Sequence, residues 1–179
     1  LNVNGVGYEV AIPLSTFDKL PLENGEKISS VVKTSVLEDE SKYLVMVTRK
    51  GIIKRTPVEE YKNVRKSGLI AITLDEGDNL AWTRITSGSD ELIVATKNGQ
   101  AIKFSEEDVR LVGRSARGVK AIELTDDDIV VGMGIAKEGT KLLTITEDGK
   151  GRRTDVNEYR LQTRGGKGVR NFDVEKAGY

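Results

Sequence analysis

Residues Arg164 to Arg170 read Arg-Gly-Gly-Lys-Gly-Val-Arg, and Gln162 stands two places before them. Three cations and three glycines in seven residues make a dense set of donors. Guanidinium and ammonium groups supply charge, and glycine lets backbone N–H groups approach an anion closely. The chemistry of such a loop is phosphate binding, not bond cleavage. Histidine and cysteine are absent from all 179 residues, which removes Ser-His-Asp and Cys-His catalysis, the usual zinc sites and disulfides. Asp126-Asp127-Asp128 reads as a turn and not a metal site, because successive residues of a strand point to opposite faces. The five tyrosines show no partners for nucleophilic work. No catalytic residue, metal or cofactor is expected.

The net charge is zero, with 28 cations against 28 anions, but the charge is unevenly placed. Leu1 to Glu40 carries three lysines against seven acids, a net of −4, whereas Lys141 to Arg170 carries eight cations against four acids, a net of +4. A neutral chain with segregated charge can still bind nucleic acid through its basic part. No apolar run approaches 18 residues, so no membrane partner is expected.

The basic loop recurs. YLVMVTRKGIIKRTPVEEYKNVRKSGLIAI from Tyr43, ELIVATKNGQAIKFSEEDVRLVGRSARGVKAI from Glu91 and KLLTITEDGKGRRTDVNEYRLQTRGGKGVRNF from Lys141 fall in register. Each has an apolar run ending in Thr (Thr48, Thr96, Thr146) and a turn glycine (Gly51, Gly99, Gly149). A polar strand and an acidic patch follow, then a basic loop closing on Gly68, Gly118 or Gly168, which are 50 residues apart. LDEGDNLAWTRIT, Leu74 to Thr86, matches LENGEKISSVVKT, Leu22 to Thr34, position for position. Four short runs per unit, with turn residues between them and no helical periodicity, predict an all-β chain. Units of ~50 residues with four strands predict a partial β-propeller, or β-pinwheel, of about three to four four-stranded blades. The divisions expected are an N-terminal strand segment at 1–20, the end of a blade at 21–40, and blades at 41–90, 91–140 and 141–179, the last incomplete. Trp82 and the Val, Ile and Leu positions are expected between blades.

The register places Arg65/Lys66, Arg114/Arg117 and Arg164/Lys167 at equivalent corners, with Arg170 beside the last pair. Alternation such as Ile52/Lys54 against Ile53/Arg55 predicts one wet strand face, so Lys54, Arg55, Lys103, Arg152 and Arg153 are expected to widen the basic track.

The stretches TRKGIIKRTPVEEY, VRKSGLIAI, GRSARGVKAIELTDDD, EDGKGRRTDVNEYR and QTRGGKG resemble the C-terminal β-pinwheel domain found in the A subunit of DNA gyrase and in its topoisomerase IV relative. The resemblance covers roughly residues 20 to 179. It implies a non-catalytic domain of about six blades that wraps duplex DNA around a basic rim and so supports supercoiling. It also implies a bacterial, cytoplasmic and nucleoid-associated setting. QTRGGKG resembles the family's wrapping loop at Gln162, Arg164, Gly165, Gly166, Lys167 and Gly168. Thr163 stands where the family has a second arginine, and the loop lies in the third repeat instead of the first blade.

The opening LNVNGVGYEVAIPLSTF resembles instead the first domain of RuvA, the Holliday-junction-binding protein. GYEVAIPLSTF can also be laid on GIIKRTPVEEY, Gly7 on Gly51, which would make it a blade's second strand. A fusion or shuffled chain is therefore expected. Three to four blades do not close a ring, so either a homo-oligomer that closes the propeller or pairing of the chain's own end strands is expected, alongside sequence-tolerant double-stranded DNA as a partner.

Overall fold

In the computed structural model, residues 2–3, 6–11, 24–32, 40–63 and 68–177 are described. The strands are β1 (Asn2–Val3), β2 (Val6–Ala11), β3 (Tyr43–Thr48), β4 (Ile52–Pro57), β5 (Leu69–Leu74), β6 (Leu80–Thr86) and β7 (Glu91–Thr96). They continue with β8 (Gln100–Ser105), β9 (Val119–Lys120), β10 (Val130–Ile135), β11 (Lys141–Ile145), β12 (Gly151–Asp155) and β13 (Val169–Arg170). A short helix, α1 (Val174–Ala177), follows.

Two sheets have four strands, in the orders β6-β3-β4-β9 and β10-β7-β8-β13; β1-β2-β5 and β11-β12 form smaller sheets. The pairings among these strands are antiparallel. Each four-stranded sheet draws three strands from one repeat and its fourth from the next. Val119 and Lys120 pair with Ile53 and Ile52, and Val169 and Arg170 pair with Ala101 and Gln100. The expected all-β propeller-like architecture is present, with blades that exchange strands.

β2 behaves as a second strand, because β5 pairs with it as β9 pairs with β4. Its register differs from the alignment of Gly7 on Gly51. Val10, not Tyr8, stands opposite Ile70, a two-residue offset that passes through an irregularity between Glu9 and Val10.

The first turn of each repeat explains its constant Thr and Gly. Gly51, Gly99 and Gly149 have φ of +80, +81 and +78 and donate to the carbonyls of Thr48, Thr96 and Thr146. The hydroxyls of Thr48 and Thr96 accept the N–H groups of Ile52 and Gln100 at 3.1 and 3.2 Å. Asp126 and Asp127 do form a turn, and Asp128 reaches back from it. Its Oδ1 accepts from Asn98 N and Ile129 N, each at 2.9 Å, as Asp78 Oδ1 accepts from Lys50 N and Asn79 N. Among the described residues no acidic group is arranged to hold a metal ion.

The core lies between sheets. Val45, Val47 and Ile53 of one blade meet Leu92, Val94, Ile102 and Phe104 of the next, with half-buried Trp82 at the margin. Met46, Tyr61, Ile72 and Leu74 join the first blade to the β1-β2-β5 sheet. Ile93, Ala101, Val156 and Tyr159 join the second blade to β11-β12.

Glu106 is a fully buried carboxylate in this core. It accepts from Thr86 Oγ1 (2.6 Å), Gly88 N (2.8 Å) and Asp90 N (2.7 Å), and it lies 3.7 Å from Arg55 Nη1. It thereby fixes the connection between β6 and β7. By contrast, Arg117 and Asp75 form a bidentate pair on the surface, with side chains 49% and 39% exposed. Glu106→Ala leaves one buried and two partly buried donors without their acceptor and removes the charge partner of buried Arg55, and it is expected to cost about 3–5 kcal/mol. Arg117→Ala is expected to cost less than about 1 kcal/mol. Urea denaturation of the two variants reads the difference directly.

Candidate nucleic-acid interface

The basic loops stack on one another along one margin of the sheets. Arg114 Nη1 donates to Ile70 O at 2.6 Å, and Arg164 Nη1 donates to Lys120 O at 2.9 Å, each reaching back 44 residues to the preceding loop's strand. Backbone bonds repeat the same step: Thr73 N to Ala116 O (3.3 Å) and Glu123 N to Gly166 O (2.9 Å). Arg164 Nε also donates to Asp108 O at 2.8 Å, and Gly165 N donates to Ala121 O at 2.6 Å.

The closing glycines have a structural reason. Gly118 has φ +106, and a Cβ there would come within 2.5 Å of Ile53 O. Gly168, φ +74, meets Ala101 O in the same way. Each glycine lets its loop enter the preceding blade as an edge strand.

Arg114, Arg164 and Gln162 are half-buried, while Arg117, Lys167 and Arg170 are exposed. Gln162 N donates to Lys103 O at 2.8 Å, and its Nε2 is buried with no hydrogen-bond partner among the described residues. Gly165 (φ +85) and Gly166 carry the turn between Arg164 and Lys167. Arg170 sits 3.4 Å from Asp173 Oδ2. Arg152 and Arg153 are exposed on β12, where Arg152 Nε donates to Thr154 Oγ1 at 3.0 Å. Arg65 and Lys66 lie outside the described residues.

Lys54 and Arg55 correct the expectation of a wet strand face. Lys54 is only 1% exposed, and its Nζ donates to Ala71 O at 2.5 Å and to Arg114 O. Arg55 donates to Val109 O (2.9 Å) and Gly88 O (3.1 Å) and lies 5.2 Å over the Tyr43 ring. Lys103, at Arg55's repeat position, is buried too, donating to Val156 O and pairing with Glu91. Both faces of β4 and β8 are covered by neighbouring sheets, so period-two alternation does not mark a solvent side here. These cations satisfy carbonyls between blades.

Sequence reading missed another set. Lys62, Arg110 and Arg160 each follow the buried Tyr61, Val109 or Tyr159 just past a 3-10 turn, and all three are exposed. Lys120, one repeat before Arg170, is exposed as well. The repeat register contains both positions, but neither carries the cluster of glycines that marks the basic loops.

The sequence model of the DNA gyrase C-terminal domain, a β-propeller, matches residues 42–87, 90–137 and 140–177. The RuvA N-terminal domain model matches residues 1–43. The A subunit of DNA gyrase from Haloquadratum walsbyi is 45% identical over 122 residues, 66% of this chain and 14% of that protein. Its counterpart in Clostridium acetobutylicum is 54% identical over 101 residues (56% and 12%), and that of Staphylococcus epidermidis 40% over 137 residues (72% and 15%). This chain thus spans about one seventh of their length. Among solved structures, the C-terminal domain of DNA topoisomerase IV superposes with a TM-score of 0.79 at 29% identity, covering 87% of this chain and 48% of that one. The DNA gyrase A C-terminal domain gives 0.76 at 28%, covering 86% and 51%.

Lys54 and Tyr61 meet at one carbonyl, since Tyr61 OH also donates to Ala71 O, at 3.2 Å. Burial, and next the Arg114 charge, lowers Lys54 from 10.5 to about 8. Burial pushes Tyr61 up from 10.0 to about 12. Between pH 8 and 10.5 the unfolded chain holds the Lys54 proton that the folded chain has released, so stability rises with pH. Between pH 10 and 12 the unfolded chain loses the Tyr61 proton first, so stability falls. Denaturant titrations across this range are expected to show a maximum near pH 10, where the two windows meet. Lys54→Met removes the rise and Tyr61→Phe removes the fall.

Proposed function

Because this chain belongs to the DNA gyrase C-terminal β-propeller family, we propose that it is a non-catalytic module that binds and wraps duplex DNA through phosphate contacts. The observation that carries this reading is the recurrence of exposed cations at fixed repeat positions. Lys120 and Arg170 share one such position; Lys62, Arg110 and Arg160 share another; Lys167 and Arg117 stand beside the loops. A protein that neutralises successive phosphates releases counterions and gains affinity without reading bases. Cations spaced along a curved rim favour a bent duplex, whose deformation costs a few kcal/mol that added contacts must offset.

The stacked loops divide the work among the cations. Arg164 and Arg114 are held by carbonyls and fix the shape of the rim. Lys167, Lys120 and Arg170 project from it, and they are the side chains proposed to meet phosphate. Gln162, Gly165, Gly166 and Gly168 set the loop's path. Arg152 and Arg153 extend the proposed track, Arg65 and Lys66 are proposed for it on their repeat position in the sequence alone, and the burial of Lys54 and Arg55 gives them an indirect role. A second reading, a fused or shuffled propeller piece that serves only self-association, is favoured by the separate RuvA-type match over residues 1–43.

Binding of a fluorescent duplex of about 40 base pairs, titrated across salt, separates the readings. Lys120→Ala/Lys167→Ala/Arg170→Ala is expected to weaken binding and to reduce the log–log salt slope by about 0.9 for each phosphate that is no longer neutralised. Arg164→Ala is expected to lower thermal stability as well as affinity. An unchanged slope in the triple variant, or no binding at low salt, would remove the DNA reading.

A further inference from the structure

Two leucines stand exposed among the cations proposed to meet phosphate. Leu111 and Leu161 occupy one repeat position, 50 residues apart, and are 48% and 55% exposed. A lone exposed leucine is ordinary on any surface. This one recurs, and its surroundings recur with it. Arg110 and Arg160 precede the two leucines and are exposed. Residues 110–120 and 160–170 each carry four cations and no acid. Leu111 is open although the succeeding repeat is in place beside it: Arg164 Nε of that repeat donates to Asp108 O, three residues before Leu111, at 2.8 Å. The ground next to it is open too, since a Cβ on Gly113 would meet nothing within 4 Å.

Backbone contacts hold both leucines in one attitude. Leu111 bridges Arg55 in parallel, and Leu161 bridges Lys103 likewise. Val112 N donates to Arg55 O at 3.1 Å, and Gln162 N donates to Lys103 O at 2.8 Å. The buried Val109 and Tyr159 anchor the same segments two residues earlier. The exposed Lys120 and Arg170 lie on the same strand edges, opposite Ile52 and Gln100. Each leucine is thus three strand positions, about 10 Å, from a cation already placed on the proposed DNA path. An apolar side chain on a backbone fixed in this way loses little freedom when a ligand covers it.

We propose that Leu111 and Leu161 press on the deoxyribose edge of a DNA duplex, between its phosphates, and that these contacts favour DNA over RNA. The inference rests on the phosphate reading above and adds an apolar component that cations cannot supply. The occupant is a duplex backbone because the segments that carry the leucines carry positive charge alone, and that backbone alternates anionic phosphates with apolar sugar edges. About half of each side chain stays against the protein, which leaves too little reach to enter the base stack, so the contact reads no sequence. A ribose in the same place would present its 2′-hydroxyl, a donor and acceptor that leucine cannot satisfy.

The test titrates a fluorescent DNA duplex and an RNA duplex of the same sequence across salt, for the chain and for Leu111→Ala/Leu161→Ala. The variant is expected to bind DNA roughly tenfold more weakly, from the apolar area no longer covered. Its log–log salt slope is expected to stay that of the unaltered chain, because no phosphate contact is lost. RNA binding is expected to change little, so the preference for DNA shrinks by a similar factor. Leu111→Met/Leu161→Met keeps an apolar side chain of similar volume and is expected to restore both affinity and preference. Unaltered DNA affinity in the alanine variant, with the slope still reduced in Lys120→Ala/Lys167→Ala/Arg170→Ala, overturns the leucine contact and leaves the phosphate reading standing. A loss shared equally by DNA and RNA also overturns it. So does a smaller salt slope in the alanine variant, which would mean that the leucines only position cations. No binding by the unaltered chain at low salt removes both readings.

Discussion

Each four-stranded blade is finished by a strand of its successor. The outer edge of β4 is closed by Val119 and Lys120, and that of β8 by Val169 and Arg170. A sheet with an unsatisfied edge exposes a row of amides and carbonyls, so this exchange is a condition of stability as well as a connection. The other recurring details serve it. Gly118 and Gly168 open the space for the incoming strand. Val112 N and Gln162 N bond to Arg55 O and Lys103 O beside it. Arg114 and Arg164 tie the loop that delivers the strand to the loop before.

Charge inside this frame follows the same demand. Lys54, Arg55 and Lys103 cross between blades where carbonyls lack strand partners, and Glu106 meets the amides of a tight connection. A buried ion is tolerable when donors and acceptors are supplied in full, as Glu106 shows with four partners. Lys62, Arg110, Lys120, Arg160 and Lys167, by contrast, are exposed.

Much of the architecture is readable from spacing. Thr48, Thr96 and Thr146 with their turn glycines mark each hairpin, because those points need a left-handed residue and use a hydroxyl, which accepts at Thr48 and Thr96 and donates to Lys150 O at Thr146. The acid triplet at 126–128 is readable as a turn by comparison with Asp75 to Asp78. Strand exchange is not readable, since a repeat boundary in sequence carries no sign of which sheet a strand joins. The burial of Lys54 and Arg55 is hidden for a related reason. Alternation identifies a wet face only for a sheet with one covered side, and these sheets are covered on two. Within the candidate interface, cation positions are plain from the register, but the division between carbonyl-bound Arg164 and outward Lys167 depends on where the preceding loop lies.

The unit that duplicates in this sequence is not the unit that folds. A 50-residue copy carries three strands for itself and one for whatever stands before it. Any extended segment placed upstream is therefore met by a strand already made, and β5 takes β2, from a stretch matching an unrelated family, on those terms. Recombination at such a junction meets a low structural barrier. Lineages built on exchanged strands can gain, lose or replace their leading segment without first inventing a new contact surface for it.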